Sequence, residues 1–150
     1  MVAAARASGR KVVAHVEGAG QSARAAAAGV DAFAHTPFTE RLDDALIAHL
    51  AAGTTWISTL RIHTGAHRET AVDNLRRFRM AGGVILYGTD MGNGPSSGGI
   101  ERDELEALVE AGLSDDELVD ALTGGSLLPP LSFDRGAALD AVRGLLGRVT

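Results

Sequence analysis

Four times in succession the chain passes from a short apolar segment through a turn into a helix-forming stretch that glycine closes. This repeated order restricts it to parallel βα architectures. The first unit runs Val12-Val13-Ala14-His15-Val16, then Gly18-Ala19-Gly20, then an alanine-rich stretch from Ser22 to Ala28 and Gly29. The second runs Asp31 to His35, Thr36-Pro37-Phe38, a helix over about 40–52 and Gly53. The third runs Thr55 to Leu60, a polar loop, a helix over about 68–81 and Gly82-Gly83. The fourth runs Val84 to Tyr87, a glycine-rich loop from Gly88 to Gly99, a helix from Glu101 to Ala111 and Gly112.

The segments starting near 12, 31, 55 and 84 are 19, 24 and 29 residues apart, each gap wide enough for one crossover helix. They are continuous apolar runs rather than polar/apolar alternations, the pattern of strands buried on both faces. Leu42, Leu46 and Leu50 recur at helical spacing, as do Leu105, Leu108, Val109 and Gly112. Glycine after each helix supplies the left-handed residue that ends it. Ser114 with Glu117 spells a capping box that opens a fifth helix over 115–123. The fold class is α/β with parallel (β/α) units; whether four strands form an open sheet or half of a closed barrel is not settled by periodicity. Gly124-Gly125 and Pro129-Pro130 mark a break, which divides the chain into a (β/α) body, residues 1–126, and a helical extension, residues 127–150.

Composition narrows the function classes. The 150 residues suit one domain, and a net charge of −5 lacks the basic footprint of a nucleic-acid binder. No apolar run reaches the ~20 residues of a membrane span, and the first residues lack the apolar stretch of a signal peptide. The reading is therefore no nucleic-acid partner, no membrane partner and a cytoplasmic location. With no cysteine, disulfides and thiolate metal sites are excluded.

In parallel sheets the active site lies at the carboxyl ends of the strands. Those ends carry His15, His35, Ser58 with Thr59, and Asp90. Taken singly, a histidine on an apolar strand is more often a structural residue held by a carbonyl. Two imidazoles and a carboxylate at matching points of three units are instead the donor set of a catalytic zinc, which keeps an open position for water. Asp90, after a buried strand and before Gly92, Gly94, Gly98 and Gly99, is the candidate to take that water's proton, against the alternative of a turn-forming aspartate. His15, His35 and Asp90 are accordingly expected to converge on one point.

Other motifs carry less. Gly18-Ala19-Gly20-Gln21-Ser22-Ala23 fits the dinucleotide pattern G-x-G-x-x-A, but the next strand ends in His35-Thr36 without the acidic residue that binds a ribose. A tight βα turn explains it better. His63 and His67 are four apart, yet Gly65 between them argues for a loop; one of them is a candidate substrate contact. His49 reads as superficial.

The phrases Lys11-Val-Val-Ala-His15-Val-Glu-Gly, Ala-Ala-Gly29-Val-Asp-Ala-Phe-Ala-His35, Gly88-Thr-Asp90 and Glu104-Leu-Glu-Ala-Leu-Val-Glu-Ala-Gly112-Leu-Ser resemble the amidohydrolase superfamily, in its imidazolonepropionase-like and Xaa-Pro-dipeptidase-like branch, over about residues 3–123. The resemblance implies the second half of a TIM-like barrel, with His15, His35 and Asp90 ending its fifth, sixth and eighth strands. It implies a metal-dependent hydrolase of carbon–nitrogen bonds: His15, His35 and Asp90 at a divalent metal (zinc first, one or two ions in a complete enzyme), Asp90 also catalytic, Glu17 and His63 toward a small-molecule or dipeptide-like substrate. The family's His-x-His pair on the first strand is absent, Lys11 does not match its fourth-strand ligand, and Glu17 replaces a histidine common in the fifth-strand phrase. The alternatives are a catalytically inactive half-barrel remnant or an interaction domain. A half-barrel leaves two strand edges and an apolar face open, which implies self-association unless the segment from Leu127 onward covers that face.

Overall fold

The structure, a computed structural model, describes residues 1–93, 98–124 and 132–148. Four short strands, β1 (Val13–Ala14), β2 (Ala32–Phe33), β3 (Thr55–Ile57) and β4 (Val84–Leu86), form one sheet in the order β1-β2-β3-β4. Every neighbouring pair is parallel, with Val13 opposite Ala32, Ala32 opposite Thr55, and Thr55 opposite Val84. Sequential order with helical crossovers distinguishes this sheet from a doubly wound one, whose order reverses at a switch point. The molecule is an open α/β sheet consistent with half of a barrel.

The crossover helices are α2 (Gln21–Ala28), α3 (Asp44–Ala51) and α4 (Gly65–Met80), preceded by a short α1 (Val2–Ala7). After β4 follow α5 (Arg102–Glu110), α6 (Asp115–Thr123) and α7 (Arg135–Leu145). Local chemistry sets their limits. The Asp43 carboxylate accepts from the Leu46 amide at 2.7 Å, so α3 starts at Asp44, later than the leucine spacing predicts. The capping box of α6 is present with both of its hydrogen bonds. Gly29 ends α2 at φ 72°, a left-handed position that favours glycine.

Strand register sorts side chains onto two faces. Ala14, Phe33, Trp56 and Ile85 point to the helices. There Phe33 stacks on Trp56 (5.8 Å, 10°) and Trp56 on Phe78 of α4 (3.9 Å, 5°), an aromatic column at the centre of the core. Val13, Thr55, Ile57, Val84 and Leu86 alternate onto the opposite face. At the two edge strands that face is open to solvent: Val13 is 48% exposed and Val84 42%. A hollow of about 380 Å³ lies over it, lined by Val13, Ile57, Leu86 and the end of α6.

Two differences from the sequence reading concern boundaries. The strands are shorter than the apolar runs, because Ser58 and Thr59 leave the ladder and Leu60–Ile62 turn into a 3₁₀ helix. Helix α4 begins at Gly65, so His67 lies in its first turn rather than in a loop. The helical extension docks on α6 through ion pairs: Arg135 with Asp116 and Asp120, Arg143 and Arg148 with Asp115. The start of the segment from Leu127 onward, given above as a possible cover for the sheet face, lies outside the described residues as far as Leu131. Among the described residues no helix is long and apolar enough to cross a membrane.

Candidate functional site

The carboxyl ends of β1 and β2 bring His15 and His35 together. Their rings are 4.9 Å apart in an edge-to-face arrangement (80°). Because β1 and β2 are adjacent and in register, residues one and two past each strand emerge side by side. Each imidazole has one nitrogen engaged. His15 Nε2 lies 3.3 Å from Glu17 Oε2, both side chains being more than half exposed. His35 Nδ1 lies 3.1 Å from the Thr59 hydroxyl, which is buried. That leaves His15 Nδ1 and His35 Nε2 for other work, and holding one ring nitrogen fixes the orientation and tautomer that the other presents.

Thr59 is held by unusual backbone. Its φ is 50°, left-handed and costly for a β-branched residue, and its amide donates to the Gly88 carbonyl at 3.1 Å. Gly88 itself sits where an added Cβ would collide with the Ile57 side chain, so the ends of β3 and β4 approach closely only with glycine there.

Burial holds the His35 pKa below its usual value; the Asp90 carboxylate pulls the other way, while His15 pushes in the same direction as burial. Asp90, beyond β4, thus acts electrostatically on His35. It too has left-handed backbone (φ 51°), and its Oδ2 accepts from the Asn93 side-chain amide at 2.7 Å. His63 follows the 3₁₀ turn and is only 8% exposed, not a solvated loop residue. Its ring stacks on Phe38 (4.0 Å, 28°), and its Nε2 is buried without a hydrogen-bond partner among the described residues. Burial, reinforced by the charges of His35 and His67, pushes its pKa down to about 4. His63 is therefore a neutral imidazole at pH 7, stacked at the wall of the site. His49 is exposed, at the end of α3.

The turn at Gly18–Gly20 has its own partners. The Gly18 amide donates to the Thr39 hydroxyl at 2.9 Å, and the Gly20 amide donates to the Glu40 carboxylate at 2.9 and 3.0 Å. A carboxylate already occupies the place where a dinucleotide's pyrophosphate would need free amides, which favours the tight-turn explanation.

Among the described residues no three of His, Asp and Glu form a group able to hold a metal ion. His15 and His35 are a two-donor half-site; the donor chemistry suits zinc, and the number falls short of the three protein ligands of a catalytic zinc. Two features carry no motif in the sequence: the Thr59 contact to His35, and a fully buried carboxylate, Glu104, on α5 behind the Thr59 turn. The signal for Glu104 was present in its spacing, since 104, 107, 108 and 111 form one buried stripe.

No family model matches the chain, and neither does any curated protein. Among solved structures, the fold is similar to that of a Xaa-Pro dipeptidase with bound methionine in its active site, at TM-score 0.64 and 24% identity. The match covers 81% of this chain and 34% of that one, so the chain spans about a third of the length of the enzyme whose fold it shares.

Proposed function

We propose that the chain forms the second half of a metal-dependent hydrolase barrel of the amidohydrolase type, acting on carbon–nitrogen bonds of a small-molecule or dipeptide-like substrate. The observation that carries this reading is the pairing of His15 and His35 at the carboxyl ends of adjacent parallel strands, each ring held by one nitrogen and offering the other. The likeness to a Xaa-Pro dipeptidase fold supports it.

In this reading His15 and His35 are two ligands of a divalent cation, zinc first; Asp90, expected to converge with them, does not complete a three-donor group among the described residues and is the proton acceptor, and the remaining donors come from a complementary half of the barrel. A bound divalent cation lowers the pKa of its water to about 7. Asp90 would accept the proton of the attacking water and return one to the leaving amine. Neutral His63, backed by Phe38, and exposed Glu17 would face the substrate: the imidazole as an uncharged hydrogen-bonding group, the carboxylate as a partner for a cationic one.

Zinc titration by calorimetry at pH 7.5 tests the reading. The chain should bind one zinc, and His15→Ala and His35→Ala should each weaken binding at least about tenfold. No binding, or binding that neither substitution changes, refutes the metal site. A second reading is favoured by the missing third donor and by the exposed Val13 and Val84: an inactive half-barrel that serves as an interaction domain. It predicts no specific zinc binding together with self-association in sedimentation experiments.

A further inference from the structure

The buried carboxylate of Glu104 takes no part in the hydrolase reading, yet its contacts lead to the site. Glu104 is 0% exposed, in the first turn of α5. Its Oε2 accepts from the Arg61 amide at 2.7 Å, and its Oε1 is enclosed. Burial raises its pKa, against the Ser58 hydroxyl and the Leu60 and Arg61 amides, which favour its charged form. Those two amides open the 3₁₀ turn Leu60–Ile62, whose N-cap is the left-handed Thr59. Thr59 cannot cap that turn itself: its side chain makes no cap hydrogen bond there, and its hydroxyl lies at His35 Nδ1.

From this division of labour we infer that Glu104 is a positioning residue for His35. By capping the 3₁₀ turn from α5 it holds Thr59 in a left-handed conformation, so that the threonine hydroxyl accepts from Nδ1–H of His35 and leaves Nε2 free. The inference rests on the hydrolase reading only for what that free nitrogen does.

A helix-borne carboxylate suits this task. A threonine at φ 50° is strained, and such strain persists only where surrounding structure over-determines it. A side-chain cap from another element supplies the constraint without using the threonine hydroxyl, and α5 is anchored in the core by Leu105 and Leu108. An apolar residue at 104 would fill the same space and leave two buried amides without a partner.

The test reads the His35 ring directly. In long-range ¹H–¹⁵N spectra of the full 150-residue chain at pH 8, His35 (assigned by its loss in His35→Gln) should show the Nδ1–H tautomer, not the Nε2–H form that a solvated imidazole prefers. Thr59→Val should release it to the solvated mixture. Glu104→Met should do the same although it lies beyond hydrogen-bond reach of the ring, and Glu104→Gln, which keeps an acceptor and the volume, should preserve the wild-type signature. Should Glu104→Met fail to fold, Glu104→Asp, one methylene shorter, withdraws the acceptor and is read the same way. A folded Glu104→Met or Glu104→Asp protein with the wild-type tautomer overturns the inference, as does an unchanged tautomer in Thr59→Val. Zinc titration of the same variants separates the two proposals. If the chain binds zinc, loss of Glu104 should weaken binding about tenfold or more. If it binds none, the metal reading falls while the spectra still decide the positioning role.

Discussion

Lowering the pH from 8 to 4 should destabilise this protein chiefly through His63, with His35, whose pKa burial also lowers, acting in the same direction. Unfolded, the His63 imidazole titrates near 6.5; folded, it resists protonation until about pH 4 because it is buried beside His35 and His67. Between those values the unfolded chain binds a proton that the folded chain refuses. Stability is therefore complete above about 6.5 and falls as pH drops toward 4. The shift is worth about 3 kcal/mol by pH 4, a large share of the ~5–15 kcal/mol that holds a domain of this kind.

The comparison must be made against His63→Phe, because Glu104 works in the opposite direction. Burial raises its pKa, so the folded chain keeps a proton that the unfolded chain releases, and stability declines as pH rises above about 4.5. His63→Phe keeps a ring to stack on Phe38 and removes only the titration. Urea unfolding can be followed by the single tryptophan, Trp56, which is fully buried between Phe33 and Phe78 and reports the core. At pH 8 the two proteins should agree within about 1 kcal/mol. At pH 4 the variant should be the more stable by about 3 kcal/mol. Parallel pH profiles would show that His63 is solvated or shares its proton with a partner, and would refute the argument.

Other substitutions probe the frame. Gly83→Ala would drive a methyl group into the Phe78 ring that stacks on Trp56, and should cost about 1–3 kcal/mol in urea unfolding. Asn74 is buried with every polar site used: Oδ1 accepts from the Leu42 amide and Arg77, and Nδ2 donates to the Pro37 and Glu40 carbonyls. Asn74→Ala should cost about 2–3 kcal/mol and loosen the 37–42 loop, read as faster amide exchange there. Arg79 holds the Glu117 pKa down to about 2, so that pair's contribution is present above 4.5 and disappears as pH falls toward 2. With both partners about a third exposed, Glu117→Gln should cost only about 1 kcal/mol at pH 7, and the difference should close near pH 2. The open face should make the chain self-associate at micromolar concentrations in sedimentation velocity, and Val84→Lys should shift it toward monomer.

Much of the fold was legible because βα repetition is a local signal. Each unit combines a short apolar run, a turn residue and a glycine stop, so four short-range patterns sufficed to predict a parallel sheet in sequential order. What was not legible depended on tertiary partners. Leu60 reads as strand by its apolar character, but Glu104, 43 positions beyond Arg61, caps the Leu60 and Arg61 amides into a 3₁₀ turn. Gly65 reads as a breaker between His63 and His67, yet with φ 54° it opens α4 and places His67 on a helix. The acidic residues of α5 look alike in sequence; Asp103 and Glu106 are exposed, and Glu104 differs only by falling in register with Leu105 and Leu108.

The candidate site divides in the same way, and the division follows from how a parallel sheet works. Residues that end strands announce themselves, because imidazoles at matching points of successive units are harder to explain structurally than one alone. Hence His15 and His35 could be named from the sequence, and register alone makes them neighbours. The residues that aim them do not sit at matching points of the repeats. Thr59 belongs to the next strand's exit and Glu104 to a helix beyond the strand after that, and each acts through polar contacts distant in sequence. The two imidazoles thus follow the first two strands, His15 beside Glu17 of its own unit and His35 against a hydroxyl from the third. A cut that separated the second unit from the third would leave His15 and His35 side by side with the His35 ring free to turn.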